Sequence, residues 1–65
     1  MSFQARHDAL KRRWRELNMR RHDAIGRQDL HEAMRLRDSS HFVLRKMSAT
    51  KARAASRGVR IKFGD

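Results

Sequence analysis

The side chains best equipped for chemistry in this chain are its cations, and seven of them crowd into residues 45–64, RKMSATKARAASR then GVRIKFG, without one acid. Residues 1–44 carry ten cations against six acids. The whole chain holds 17 Lys and Arg against 7 Asp and Glu, a net charge of +10, and thirteen of the cations are arginine. Arginine presents a planar, bidentate set of donors matched to phosphate and carboxylate, whereas lysine suffices for a merely solvated surface. The composition therefore points to an anionic partner, either nucleic acid or an acidic protein surface. The candidate phosphate ligands are Arg35, Arg45, Lys46, Lys51, Arg53, Arg57, Arg60 and Lys62. Contacts of this kind are chiefly electrostatic and weaken steeply with salt. Phe42 is expected to point to the side of its helix opposite the apolar seam, among Arg35, Arg45, Lys46 and Arg53, a mixture that can stack on a base or anchor in a partner's pocket.

Other chemistries lack their residue patterns. His7, His22, His31 and His41 never stand three or four apart, the spacing a helix-borne metal site needs, and there is no cysteine. No metal and no cofactor is expected. Gly26, Gly58 and Gly64 are too scattered for a phosphate-binding loop. A chain of 65 residues offers no concave scaffold on which to align nucleophile, base and oxyanion donors, so the expectation is a non-enzymatic protein. No helix-turn-helix pattern with a separate recognition helix is present. No run nears the roughly 18 apolar residues of a membrane span, and with cysteine absent the chain fits a cytoplasmic setting.

These cations must be positioned by helices. Phe3, His7, Leu10, Trp14, Leu17, Arg21 and Ala24 step by four and three, a heptad seam that Ile25 widens. Ser2 is a fitting N-cap. Asp8 with Arg12, Glu16 with Arg20 and Asp23 with Arg27 are acid-before-base pairs at i,i+4 that support the outer face. Trp14, in mid-seam, reads as the largest core anchor.

Gly26 is placed to end this helix in the left-handed conformation. Asp29 and Glu32 then form a capping-box pattern, so IGRQDLHE reads as a tight turn between antiparallel neighbours. Ala33, Leu36, Ser40, Val43, Met47, Thr50 and Ala54 make the second seam, with Leu30 and Leu44 beside it, until Arg57-Gly58. Asp38-Ser39-Ser40-His41 are poor helix-interior residues, and a break near Ser39 would give three helices and turn Phe42 inward. The seam stays in phase across them, which favours one continuous helix.

The expected fold is all-α, an antiparallel two-helix hairpin over residues 1–57 with helices about 3–25 and 30–56, followed by an extended tail over 58–65. In that tail Val59, Ile61 and Phe63 alternate with Arg60 and Lys62 as in a strand. Nothing else in the chain alternates. The tail either pairs with another chain or folds back over a helix end. So short a chain buries little surface, which points to completion by a second copy or a larger assembly.

The run AIGRQDLHEAMRLRDSS, residues 24–40, resembles the UVR motif of bacterial excision-repair proteins at Ala24, Asp29, Leu30, Ala33, Leu36, Arg37 and Asp38. The resemblance covers about a quarter of the chain. It implies an antiparallel hairpin that pairs with another hairpin and serves as a protein-interaction module. At Leu30-His31 the chain departs from the aromatic-Glu pair usual in the motif.

Two functions follow as expectations. The first is a nucleic-acid-associated binding protein that uses the cations above, with Phe42 as the apolar contact. The second is a small accessory, inhibitory or structural subunit, of the kind found among phage regulators and virion components. It would dock on a larger protein through Phe42, Val59, Ile61 and Phe63.

Overall fold

In the computed structural model, which describes residues 2–62, helix α1 spans Phe3–Gly26 and helix α2 spans Leu30–Ser56. Ser2 caps α1 as its sequence position suggests, its hydroxyl accepting from the Ala5 amide at 3.1 Å. Asp29 caps α2 by accepting from the Glu32 amide at 3.2 Å. The other half of the expected capping box is absent. Glu32 turns to Arg35, and the Asp29 amide instead donates to the Ala24 carbonyl at 2.8 Å.

Both helices end in the same motif. At the end of α1, Gln28 donates to the Ile25 carbonyl and Asp29 to that of Ala24; at the end of α2, Gly58 donates to Ala55 and Val59 to Ala54. These are Schellman closures, which need a left-handed residue one place past the cap. At the second closure that residue is Gly58, with φ 74°, as expected. At the first it is Gln28, with φ 60°, and Gly26 is the last helical residue. The expectation for Gly26 fails because α1 runs through it and Arg27 is the C-cap, which moves the left-handed position to Gln28, a residue whose side chain bears the strain.

The seams meet as a mirrored pair about the turn. Ala24 and Ala33, Leu17 and Ser40, Trp14 and Val43, Leu10 and Met47, and His7 and Thr50 stand at equal chain distances from it. Leu17, Ala24, Ala33, Leu36, Val43 and Met47 form the buried cluster, with Leu10 and Trp14 packed half-buried against it. All seven expected seam residues of α2 are buried, so the helix runs unbroken through Asp38–His41. Ser40 and Thr50 are tolerated there because each hydroxyl donates within its own helix, to the Arg37 carbonyl at 2.7 Å and the Lys46 carbonyl at 2.9 Å. Ile25, Leu30 and Leu44 lie off the seam and are exposed. A two-helix interface buries only the stripe where the cylinders touch, so a widened seam has nothing to cover its edges.

Beyond Gly58 the described tail residues form no strand. Lys62 instead pairs with the Gln4 carboxamide, which accepts from the Lys62 amide at 2.9 Å and donates to its carbonyl at 3.0 Å. One side-chain amide thus does what a neighbouring strand would do for that residue. Gln4 also donates to Asp8 at 2.9 Å, engaging the carboxylate expected to pair with Arg12. Phe63, the last of the alternating apolar positions, lies outside the described residues.

Candidate nucleic-acid interface

Where two helices pack, a shallow trough runs along each side of their contact. On one flank three depressions share walls and form a single trough from Phe3 and Arg57 at the open end to Leu17 and Ser39. At 1.5 Å per residue, Phe3 to Leu17 spans about 21 Å. Its floor includes Leu10, Leu17 and Val43, and its rims carry cations from both helices. Arg6 and Arg13 come from α1; Lys46 and Arg53 come from α2 and Arg57 from its C-cap. Among the described residues, no carboxylate lies within ion-pair distance of any of these five. Among the described residues Asp38 is the one acid on the trough wall, and Arg37, its neighbour on α2, lies 3.5 Å from it.

Two aromatic rings frame the trough. Phe42, 57% exposed, lines the depression with Leu10 and Val43, and the Lys46 ammonium sits 4.7 Å from its ring centroid. This corrects the expected placement of Phe42 on the side opposite the seam. It stands one residue from Val43 and therefore at the edge of the contact, so its ring borders the floor instead of projecting from the back of α2. At the open end the Arg57 guanidinium lies 5.9 Å from the Phe3 ring.

Of the eight cations picked from the sequence, the structure gathers three here: Lys46, Arg53 and Arg57. Arg35 lies nearer the turn and is engaged by Glu32, its Nη2 donating to Oε1 at 2.8 Å with Oε2 at 2.7 Å. That hydrogen bond, with the charge of Glu32, raises the Arg35 pKa above its ordinary value, so the guanidinium is a fixed and already partnered cation. Arg45 is two residues from both Val43 and Met47 and so faces away from α1. Lys51 follows Phe42 by nine residues, about 180° around the helix, which puts it on the other flank. Lys62 is tied to Gln4, about 200° around α1 from Arg6, and Arg60 precedes it in the exposed tail. Of the candidate partner-binding residues, Val59 is exposed and Ile61 half-buried.

Arg6 and Arg13 do not belong to the acid-free end of the chain, the feature by which composition alone singles out cations. Their signal was present: Arg6, Arg13, Arg20 and Arg27 recur every seven residues, a basic row beside the seam. The row is not uniform. Glu16 and Asp23 stand four residues before Arg20 and Arg27, and Glu16 bonds Arg20 at 2.9 Å. Ser2 and Ala9 stand four before Arg6 and Arg13.

Among the described residues no three His, Asp or Glu side chains gather as a metal cluster, and no helix is long and apolar enough to cross a membrane. No family model, curated protein or solved structure matches the chain.

Proposed function

We propose that this chain is a small, non-enzymatic nucleic-acid-binding protein whose phosphate contacts are Arg6, Arg13, Lys46, Arg53 and Arg57. The observation that carries this reading is the concentration, along one trough, of five cations with no carboxylate partner among the described residues, on rims supplied by both sides of the hairpin. Elsewhere on the same flank, cations have acids beside them. Holding like charges together costs energy in the free protein, and a polyanion relieves that repulsion on binding. Other exposed cations, among them Arg45, Lys51, Arg60 and Lys62, add a diffuse attraction that steers approach. The cytoplasm is where such a protein would meet its ligand.

A salt titration tests the reading. Five phosphate contacts give a slope of log K against log salt of about −4.5 for duplex and about −3.5 for single strands. Absence of binding to any nucleic acid at low salt overturns it. In the accessory-subunit alternative the tail would pair with a larger protein, which requires the Gln4 clamp on Lys62 to open. That alternative predicts that loss of residues 58–65 abolishes capture of the partner while salt has little effect.

Self-association completes the proposal. The surface measures 5280 Å², whereas a compact monomer of this mass exposes about 4300 Å². The excess, about 1000 Å², is close to one partner's share of a standard interface, about 800 Å². Ile25, Leu30 and Met34, all exposed near the turn and away from the trough, supply the apolar contact for a second copy. Because each copy carries +10, salt should strengthen this association while weakening nucleic-acid binding. Sedimentation equilibrium at two salt concentrations checks the sign, and a monomer at both overturns the dimer.

A further inference from the structure

We infer that the ligand of the trough is single-stranded nucleic acid, with one base seated against Phe42 over Leu10, Leu17 and Val43 and its flanking phosphates on Arg13 and Lys46. The inference rests on the phosphate-binding reading and specifies its substrate.

Shape is the first argument. The hairpin measures 20 × 17 Å in cross-section, against a major groove of about 12 Å and a minor groove of about 6 Å in B-DNA. It cannot enter either groove as a body. The partnerless cations do not lie on the convex back of one helix, where a groove-binding helix carries them; they line a hollow between two. Helices in contact have axes about 8–10 Å apart, so the hollow admits one strand and not two.

Chemistry is the second argument. A duplex offers phosphates and the edges of stacked pairs, and has no use for an apolar floor between basic rims. A single strand exposes base faces, and these need an aromatic or apolar seat beside the cations that hold the backbone. Phe42 provides it: Lys46 covers part of one ring face at 4.7 Å, and the residue remains 57% exposed. The acid in this depression also finds a place. Asp38, whose carboxylate would repel a phosphate, accepts a hydrogen bond from an exocyclic amino group, as carboxylates do from cytosine. A cytosine strand is therefore preferred over a thymine strand.

The test uses the full chain and labelled oligonucleotides of about 12 nucleotides, read by fluorescence anisotropy. The probes are a cytosine strand, a thymine strand, an abasic strand and a hairpin duplex. The expected order puts the cytosine strand about tenfold tighter than the abasic strand and the duplex. Phe42→Leu keeps apolar volume but removes the stacking face; it lowers single-strand affinity about tenfold and leaves abasic and duplex binding and the salt slope unchanged. Asp38→Ala, at another exposed position, erases the preference for cytosine over thymine. Arg13→Gln weakens binding to every probe and reduces the salt slope by about 0.7 on single strands. A duplex bound as tightly as the single strands, or Phe42→Leu without effect, overturns the inference while phosphate binding stands. No binding of any probe at low salt overturns the phosphate-binding reading instead.

Discussion

The two halves of the hairpin share one seam pattern and one row of arginines, yet they have become different surfaces. Near the turn, Arg20 bonds Glu16 and Arg35 bonds Glu32, while Asp23 and Arg27 line one depression together. Toward the open end, Arg6, Arg13, Lys46 and Arg53 have no carboxylate partner among the described residues. The difference comes from what stands one helical turn earlier. Glu16 and Asp23 precede Arg20 and Arg27 by four residues, whereas Ser2, Ala9, Phe42 and Ala49 precede Arg6, Arg13, Lys46 and Arg53. A cation with an acid at that spacing supports its own helix. A cation without one keeps its charge for a partner.

The interior differs in the same sense. From Ala24 and Ala33 to Met47 the buried positions of the described residues are apolar except for Ser40, while the open end buries two polar side chains, His7 and Thr50. The His7 imidazole is fully buried, its Nδ1 4.0 Å from an Asp8 oxygen. At the turn the short connection holds the helices together. At the open end that task falls to Ala54, to the Gln4 clamp on Lys62 and to the stacking of Arg57 over Phe3.

The contrast in charge has the largest measurable consequence. Replacing Arg6 and Arg13 together by glutamine should weaken oligonucleotide binding by about a hundredfold or more, since each charged hydrogen bond contributes about 1.5–3 kcal/mol. The same change at Arg20 and Arg27 should have little effect. Equal losses from the two pairs would mean that the acids at the turn end do not partition the surface.

Packing gives the next contrast. Ala24 and Ala54 are both fully buried, but only Ala24 is held by the turn. Enlarging Ala24 to leucine should cost about 2 kcal/mol through overpacking, whereas at Ala54 the chain ends can splay and the cost should stay below about 1 kcal/mol. Urea unfolding of the two variants measures it, and a reversed order would show that the open end is the more rigid.

The helix ends supply a smaller pair of opposite sign. A methyl group on Gly26 meets nothing within 4 Å, and its backbone is helical. Gly26→Ala should therefore stabilise by about 0.5–1 kcal/mol. Gly58 has φ 74°, so Gly58→Ala should destabilise by about 1 kcal/mol. Thermal melts followed by circular dichroism distinguish the two.

The Gln4 clamp is the weakest link. Gln4→Ala removes two exposed hydrogen bonds to Lys62, and their loss should lower global stability by less than about 1 kcal/mol. It should, however, speed tryptic cleavage after Arg57 and Arg60. Unchanged cleavage would show that other contacts hold the tail.

Much of this was legible in the sequence because it is local. The three-four stepping of the seams, the Ser2 and Asp29 caps and the Gly58 closure depend on residues within one or two turns of each other. The errors arose where local cues competed. Gly26 has the right residue type for a left-handed cap, but where α1 stops is decided by where Asp29 must start α2. The sequence places Phe42 away from the seam, because a seam reduced to a line hides the two edges beside it.

The sequence by itself determined that two amphipathic helices of this length would form, that each would present one stripe for the other, and that arginine would remain in excess. Only the tertiary structure decided which arginines act together. Arg6 and Arg53 are forty-seven positions apart in the chain, yet they line the same depressions. Periodicity fixes a residue's angle around its own helix, but the flank it shares with a second helix depends on the rotation and register set by the turn and the core.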